Sequence, residues 1–253
     1  MQLKPVSVIM PVLGKVHLTK SFMESFYKTT RCPYELIIIN NGQDEETKNY
    51  LKEICEKDSK IKILQQEENL GVAKSWNLGV KESQYEYVCI VNNDIKIMTG
   101  GWLVELQTVL QDFPNVCWCS PTTCYAEDMT KMCYRVSHYE QLLYGAGNSN
   151  YVVGCCFMIP KRIFDVVGYF DEQFDIKYYE DLDYINRIFQ NVGRVKMANT
   201  VLVYHAVGST SRETPGGGTN KSKYEEKWGG SPYNILSMQP KPIIGVKHFW
   251  RNK

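Results

Sequence analysis

Polar residues that could bind a phosphate or a metal ion follow directly on a strongly apolar stretch. Asn92, Asn93 and Asp94 end the run from Tyr87 to Val91, which is rich in β-branched and aromatic residues. This composition predicts a strand buried on both faces, as in parallel sheets covered by helices. Ligands of open α/β sheets bind outside the carboxyl ends of the strands, so Asp94 is placed to meet a phosphate or a metal ion. A hard divalent cation accepts one carboxylate here, because it keeps positions for water and phosphate oxygens.

Three further polar groups stand at the ends of predicted elements. They are Asn40 with Asn41 after a strand, Glu180 with Asp181 and Asp183 at the start of a helix, and His205 after the last strand. Each group also has a structural interpretation. Asn and Asp bond their own backbone in turns, acids in a first helical turn favour the helix dipole, and single histidines are often structural. The residue types leave both interpretations open, and the recurrence of such groups at element ends favours a site.

The elements that must position these residues alternate between strand and helix in the first half of the chain. Hydrophobic periodicity predicts strands at 6–10, 34–39, 61–64, 87–91 and 116–120, and helices at 17–30, 44–58, 71–79 and 102–110. Strands that alternate with helices of this length indicate a parallel sheet with right-handed crossovers. The fold class predicted is therefore α/β.

The second half has a weaker pattern. Residues 121–150 lack periodicity and predict loops or an antiparallel excursion over the sheet edge. A strand is predicted at 151–159, with Gly154 where a backbone or ligand approaches closely. Helices are predicted at 161–167 and from the Glu180 region to residue 190, and a last strand at 200–204. The chain after residue 209 is predicted to be irregular.

Composition limits the function classes. The chain has 253 residues, 43% of them hydrophobic, and a net charge of +1, so any contact with a polyanion must be local. No apolar run approaches the roughly 20 residues of a membrane span, and the N-terminus runs into a strand rather than a signal peptide. We therefore expect a soluble protein without a transmembrane segment. The odd number of cysteines, nine, and their apolar contexts favour a reducing, cytoplasmic compartment.

Four of the cysteines lie close together in the sequence. They are Cys117, Cys119, Cys124 and Cys133. Their spacing matches no common zinc-ligand pattern, so buried structural thiols are the preferred interpretation over a zinc site.

The order of these motifs resembles the GT-A fold glycosyltransferases of family 2, including rhamnosyltransferase-like enzymes that use nucleoside diphosphate sugars. The matching segments are 6–12 for the opening strand, 35–42 for the nucleotide-binding strand, 69–79 for an N-x-G…N-x-G helix, 92–94 at the D-x-D position, 154–159, 167–172 and 179–183 for acceptor-side blocks, and 203–205 for a closing metal histidine. The resemblance covers residues 6 to about 212, and the motifs occur in the family's order.

The resemblance implies a mostly parallel central sheet flanked by helices, with a smaller antiparallel part on the acceptor side. It implies a glycosyltransferase domain at 1–212, composed of a nucleotide-sugar-binding half at 1–120 and an acceptor half at 121–212. Residues 213–253 then form an irregular, basic and aromatic tail.

The resemblance also implies roles for individual residues. Asp181, with Glu180 beside it, is the catalytic base, and neighbouring acids are expected to raise its proton affinity. Asp94 and His205 hold a divalent metal, Mn²⁺ or Mg²⁺. The residues implied in nucleotide-sugar binding are Pro11, Val12, Asn40, Asn69, Lys74, Asn77, Asn92, Asn93 and Gly154.

The implied reaction is a single displacement that inverts the anomeric carbon, with a UDP- or dTDP-sugar as donor. Two departures bear on it, because Asn40 and Asn92 stand where the family commonly has aspartate. An amide still bonds a pyrimidine edge. With Asn92 neutral, we expect the metal to bind well only together with the donor diphosphate.

The acceptor is predicted only as a class, either a saccharide precursor of a surface polysaccharide or a hydroxymethylated nucleic-acid base. The tail segment 247–253 pairs cations with aromatic rings, which suits single-stranded nucleic acid, an anionic membrane surface, or a solvated terminus. A catalytically inactive sugar-nucleotide-binding module is the alternative function. A nucleotidyltransferase is disfavoured, since Gly14 and Lys15 only faintly match the Gly-rich basic loop of that class.

Overall fold

The computed structural model describes residues 3–124, 154–206 and 215–230. Within these residues, eight strands form one sheet in the order β3-β2-β1-β4-β7-β6-β8-β5. The strands are β1 Val6–Val12, β2 Tyr34–Asn40, β3 Ile61–Gln65, β4 Tyr87–Val91, β5 Ile95–Ile97, β6 Val116–Cys124, β7 Cys156–Pro160 and β8 Arg194–His205. The helices are α1 Val16–Thr29, α2 Glu45–Lys57, α3 Val72–Glu82, α4 Trp102–Asp112, α5 Arg162–Val167, α6 Glu180–Asn191 and α7 Asn220–Trp228.

The first four strands form the parallel part that the sequence predicts. β1 lies between β2 and β4, and β2 also pairs with β3, all in parallel. Val12 is in register with Asn40, and Asn40 with Gln65. Parallel strands bring their carboxyl ends to one edge, so the polar residues that follow β1, β2 and β4 share that edge of the sheet.

The remaining strands form the mixed part. β7 runs antiparallel to β4 and β6, β8 runs parallel to β6, and β5 runs antiparallel to β8. The register of the last pair places Ile95 opposite His205. This pairing brings the end of the last strand to the turn that follows β4.

Two hydrophobic cores cover the two faces of the sheet. Successive residues of β1 alternate between them, with Val8 in one core and Ile9 in the other. Helices α1, α2 and α4 contribute to the first core, and α3, α5 and α6 contribute to the second. The arrangement is a three-layer α/β/α sandwich in which the central strands are buried on both faces.

Several element boundaries differ from those predicted. β5 was not predicted, because three residues are too few for a periodic signal. β6 continues to Cys124, so residues 121–124 are strand and not loop. β7 begins at Cys156, which leaves Gly154 in a turn. β8 begins at Arg194 rather than at residue 200, and a register shift opposite Pro121 and Thr122 interrupts its regular pairing.

The predicted irregular tail is also corrected in part. Residues Asn220–Trp228 form helix α7, whose sequence is mostly charged and has little apolar patterning. Tertiary contacts stabilise it, since Tyr224 is fully buried. Residues 231–253, which include the basic and aromatic segment, lie outside the described residues. In the part of the chain that the structure describes, no helix combines the length and the hydropathy needed to cross a membrane.

The cysteines do not support the zinc alternative. All those in the described residues are free thiols. Cys117 packs in the core on one face of the sheet and Cys119 in the core on the other, so these two cannot ligate one ion. Cys133 lies outside the described residues. Within those residues, no group of three or more His, Cys, Asp or Glu side chains could hold a metal ion.

Candidate active site

The acidic residue after β4 and the histidine at the end of β8 lie side by side. Oδ1 of Asp94 is 3.2 Å from Nε2 of His205, and these side chains are 10% and 12% exposed. The pairing of β5 with β8 fixes this contact, and the N–H of Ala206 donates to the carbonyl of Asp94 at 3.0 Å. The fold therefore brings together the two residues predicted to bind a metal.

The chemistry of this pair suits a divalent cation with hard and imidazole ligands. Oδ1 of Asp94 is buried and receives no well-aligned hydrogen bond from the described residues. Burial lowers the pKa of His205, but Cys155 and Asp94 beside the ring outweigh it and raise the pKa to about 10. A carboxylate oxygen and an imidazole nitrogen are ligands that Mn²⁺ accepts, and the cation would have to displace the proton that His205 carries beside Asp94. Two protein ligands would leave coordination positions for further oxygen ligands.

A turn before β7 connects this pair to the acids of α6. The carbonyl of Cys155 accepts a hydrogen bond from the N–H of Asn92 at 2.8 Å. Its neighbour Gly154 lies against Asp181, where a Cβ on the glycine would be 2.8 Å from the Asp181 Cβ. Such a distance is too short for two carbon atoms, so this close approach requires glycine. Residues 154 and 155 thus link the predicted metal pair to the predicted base.

Glu180 and Asp181 are carboxyl groups at the first turn of α6, the first buried and the second half-buried. Glu180 is 6% exposed, and its Oε2 atom has no hydrogen-bond partner among the described residues. Burial raises the pKa of Glu180, and the charge of Asp181 raises it further. Burial also raises the pKa of Asp181, although backbone N–H groups of Leu182, Asp181 and Gly154 oppose this. A carboxyl group with raised proton affinity suits a general base near neutral pH.

The third acid of that turn, Asp183, has a different environment. It is fully buried and contacts Lys227 Nζ at 2.7 Å, Arg187 Nε at 2.9 Å and Trp228 Nε1 at 3.0 Å. These partners satisfy its charge and join α6 to α7. Asp183 is therefore a structural residue, and only Glu180 and Asp181 remain available for chemistry in this turn.

The amides after β2 are bonded within the protein. Asn40 is fully buried, and its Nδ2 donates to Oε1 of Gln65 at 2.7 Å while its Oδ1 accepts from the N–H of Gly42 at 3.1 Å. Asn41 donates to Oγ of Ser75 at 2.9 Å and accepts from the N–H of Leu70 at 3.3 Å. The side chain predicted to face the nucleotide base thus shapes the turn between β2 and α2.

The N-x-G…N-x-G segment has a similar structural function. Oδ1 of Asn69 accepts from the N–H of Gly71 at 3.0 Å, which shapes the entry to α3. Asn77 donates to the carbonyl of Phe170 and to Oε1 of Glu172, both at 2.9 Å, and accepts from the N–H of Phe170 at 2.9 Å. Asn77 therefore attaches α3 to the segment after α5 rather than presenting its amide to a ligand.

The other predicted nucleotide-sugar residues vary in exposure. Pro11 and Val12 lie at the end of β1, where Val12 is buried, and Lys74 is exposed on α3. Asn93 donates to Oγ1 of Thr19 at 3.1 Å in a buried contact, whereas Asn92 is half-buried beside Asp94. Asn92 and Pro11 are thus among the predicted residues whose side chains stay accessible at the sheet edge.

Sequence reasoning missed several residues that shape the site. They are Gln65, Ser75, Cys155 and Asn220. Each acts through a contact with a residue distant in sequence. Only Gln65 had a local signal in the sequence, because it is a polar residue directly after a predicted strand. Its pairing in register with Asn40 became visible only in the structure.

Comparison with known proteins identifies the class that this fold and site define. The family model of glycosyl transferase family 2 matches residues 7–168, which is more than half of the chain. The chain therefore belongs to glycosyl transferase family 2, and its α/β fold with the mixed second part is the GT-A fold. The predictions of family and fold class are confirmed.

Related proteins share modest identity. Uncharacterized protein y4gI of Sinorhizobium fredii is 25% identical over 70% of this chain and 22% of its own length. Uncharacterized glycosyltransferase RP339 of Rickettsia prowazekii is 22% identical over 96% of this chain and 76% of its own length. The chain thus spans under a quarter of the Sinorhizobium protein.

Solved structures share the fold at low identity. GalNAc-T7, crystallised with UDP, GalNAc and Mn²⁺, superposes with a TM-score of 0.69 at 17% identity, over 89% of this chain and 49% of that one. Mannosyltransferase PcManGT from Pyrobaculum calidifontis, in complex with GDP-Man and Mn²⁺, gives 0.68 at 16% identity, over 83% of this chain and 59% of that one.

Proposed function

We propose that this chain transfers a sugar from a nucleoside diphosphate sugar to an acceptor hydroxyl, with inversion at the anomeric carbon and dependence on Mn²⁺ or Mg²⁺. A UDP- or dTDP-sugar is the proposed donor. The observation that carries the proposal is the convergence of two polar pairs, Asp94 with His205 and Glu180 with Asp181, on the turn at Gly154 and Cys155.

In the proposed mechanism, Asp181 removes the proton of the acceptor hydroxyl as its oxygen attacks the anomeric carbon. The new C–O bond forms on the face opposite the diphosphate, whose C–O bond breaks as it leaves with the electron pair. Backbone N–H groups of Leu182 and Gly154 hold the Asp181 carboxylate, and Leu182 N lies 2.8 Å from its Oδ1. Burial of this carboxylate raises its affinity for the proton that it accepts.

Asp94 and His205 are the proposed protein ligands of the cation. When bound, the divalent cation supplies positive charge against the leaving diphosphate. Because the pair provides only one carboxylate and one imidazole, and Asn92 is neutral, we propose that tight binding requires the donor as a further ligand. The complexes of GalNAc-T7 and PcManGT with Mn²⁺ and nucleotide support this assignment by analogy of fold.

The proposed acceptor is a saccharide, such as a precursor of a surface polysaccharide, and a hydroxymethylated nucleic-acid base is the alternative. Most of segment 121–150 and all of 231–253, which are predicted to choose the acceptor or to contact DNA or membrane, lie outside the described residues. We further propose the cytoplasmic location that the free thiols of the described residues favour.

A thermal-shift and turnover screen tests the proposal. UDP-, dTDP- and GDP-sugars are each added with and without Mn²⁺, and release of the nucleoside diphosphate is followed in parallel. We expect one donor to stabilise the protein only when Mn²⁺ is present, and to be hydrolysed slowly without acceptor. A response to no donor would overturn the proposal, while stabilisation without turnover in any acceptor pool would favour an inactive sugar-nucleotide-binding module.

The Asp94→Ala variant assigns the effect to the predicted metal pair. We expect it to lose both the Mn²⁺-dependent shift and transfer, because the cation keeps one protein ligand. The variant should still fold, with a lower melting temperature without ligand, because the buried ring of His205 loses its carboxylate partner. Asp112→Ala, which removes an exposed carboxylate at the end of α4, is the matched control and should respond like the wild type. A fully active Asp94→Ala enzyme would remove Asp94 from the mechanism.

A further inference from the structure

The segment directly before the predicted base has an unusual backbone. Ile176, Tyr178 and Tyr179 have positive φ angles of 56°, 74° and 77°, although none is glycine. Such conformations are costly for residues with a Cβ and persist only where surrounding contacts enforce them. Tyr179 is also the N-cap of α6, so the conformation of this loop determines the positions of Glu180 and Asp181 in the first turn of that helix.

One side chain bonds to most of this loop. Asn220, the first residue of α7, is fully buried. The two hydrogens of its Nδ2 are shared among the carbonyls of Asp175 at 2.8 Å, Lys177 at 2.9 Å and Tyr178 at 3.1 Å. Its Oδ1 accepts from the N–H of Asp175 at 3.2 Å. A primary amide that is buried and bonded on both its oxygen and its nitrogen fixes the backbone that it contacts.

The residues just before α7 pack closely against the same loop. Gly216 and Gly217 have φ angles of 110° and 77°. A Cβ on Gly216 would lie 2.6 Å from Ile176 Cγ1, and one on Gly217 would lie 2.5 Å from the carbonyl oxygen of Lys177. Neither glycine can carry a side chain without displacing the loop.

The opposite side of the loop contacts the nucleotide-binding half. The N–H of Val72 donates to the carbonyl of Ile176 at 2.7 Å, and a Cβ on Gly71 would lie 2.7 Å from Ile176 Cα. The loop 175–179 is therefore held between the start of α3 and the start of α7. Further contacts anchor α7 to α6, including those of Trp228 and Lys227 with Asp183.

We infer that Asn220 is a positioning residue for the transfer reaction, which holds the loop 175–179 in its strained conformation and thereby fixes Glu180 and Asp181 toward the substrate. The inference rests on the proposed function, because it takes Asp181 as the base. It assigns a task to residues 215–228, which lie beyond the segment matched by the family model. Asn220 does not touch the reacting atoms in this arrangement and acts through the loop.

Hydrogen exchange tests the contact without any ligand. In Asn220→Asp, which keeps the shape of the side chain but replaces its donor N–H groups, we expect at least tenfold faster exchange in peptides covering residues 175–183, with peptides from β1 unchanged. Gly217→Ala should give the same faster exchange in residues 175–183, because its new Cβ displaces the loop from another side. Gly218→Ala is the matched control, because a Cβ there would meet nothing within 4 Å and should leave exchange as in the wild type.

Turnover connects the loop to catalysis. With UDP-glucose, dTDP-glucose and GDP-mannose as donors and Mn²⁺ present, we expect kcat of Asn220→Asp and Gly217→Ala to fall at least tenfold, while donor KM stays within about twofold. A reduced kcat in these two variants but not in Gly218→Ala supports a positioning role that general destabilisation would not give. Unchanged kcat, or unchanged exchange, overturns the inference. If the wild-type enzyme turns over none of these donors, the result counts against the proposed function. The inference then depends on hydrogen exchange alone, and unchanged exchange at Glu180 and Asp181 in Asn220→Asp overturns it.

Discussion

The buried amides of the parallel half and the buried carboxyl group of Glu180 in the mixed half differ in their hydrogen bonding. After β2 and in α3, buried amides are bonded to protein partners, as Asn40 is to Gln65 and Asn77 is to Phe170. In the mixed half, Glu180 keeps a buried oxygen without a partner and follows a strained loop. Buried polar groups normally find partners, and each exception asks for an explanation. The amides thus take part in the scaffold, and we propose that the carboxyl groups of Glu180 and Asp181 are kept for a substrate.

The largest effect is expected from Asp181→Asn, because it removes the proposed general base, and such a group contributes about 10²- to 10⁴-fold in rate. An amide of the same shape still accepts from the N–H of Leu182 and carries no charge to bury. We therefore expect kcat to fall by about 10³-fold while the melting temperature stays equal or rises. Steady-state kinetics and thermal denaturation measure the two quantities.

Asp183→Asn is the matched control on the same helical turn. It leaves Lys227 and Arg187 without their buried carboxylate and should destabilise the fold by about 3 kcal/mol, as the loss of one partner of a buried ion pair does. Its kcat should fall far less than that of Asp181→Asn at a temperature where it is folded. The opposite pattern, with activity lost only at position 183, would contradict the division of the three acids.

Gly154→Ala should have the next largest effect. The new Cβ overlaps the side chain of Asp181, so the carboxylate must move, and a displacement of about 1 Å at a reacting group costs up to about 10²-fold in rate. We expect a loss of kcat of about that size and a loss of stability of about 1–3 kcal/mol from overpacking. Gly100→Ala is the control, because a Cβ there meets nothing within 4 Å. Equal activity of both variants would show that Gly154 does not limit the position of Asp181.

Stability should also depend on pH through Glu180 and Asp181. Burial raises the pKa of Glu180 and of Asp181 above their unfolded values, so their contribution is complete below the unfolded pKa and is lost as pH rises through the folded pKa. Glu180→Gln removes one titrating group. The free energy of unfolding of this variant should match that of the wild type near pH 4 and exceed it increasingly above pH 4.5, by about 1.4 kcal/mol for each pH unit between the unfolded and folded pKa values of Glu180.

Thermal denaturation across this pH range provides the measurement. Glu226→Gln, at an exposed position on α7, should follow the wild-type curve. Parallel curves for Glu180→Gln and the wild type would mean that Glu180 is hydrated in the folded protein, and the contrast between the two halves would then lose one of its observations.

The sequence predicts more of the fold than of the candidate site, and particular residues show why. The apolar run Tyr87–Val91 and its place in a parallel sheet follow from local composition, which periodicity encodes. The contact of Asp94 with His205 required the family resemblance, because the short strand β5 that creates it has no periodic signal. The hydrogen bonds from Asn220 to the loop 175–179 could not be predicted. A charged helix with little apolar patterning gives no indication of the segment on which it packs.

The smallest effects are expected where the parallel half uses an amide in place of the family's aspartate. In Asn40→Asp, the oxygen that replaces Nδ2 faces Oε1 of Gln65, and the Gln65 amide must rotate and give up bonds to carbonyls such as that of Gly42. We expect a loss of about 1–2 kcal/mol, the scale of one compromised buried hydrogen bond, and a change in donor KM below tenfold.

Asn41→Asp is the matched test of that reasoning, since its partner is the hydroxyl of Ser75, which can rotate and donate to a carboxylate. Asn41→Asp should therefore cost less stability than Asn40→Asp in thermal denaturation at neutral pH. The reverse order would show that the partner's chemistry does not set the cost. A donor KM that falls more than tenfold in Asn40→Asp would instead place this side chain at the nucleotide, and the buried amide of Asn40 would then belong with the groups that are kept for a ligand.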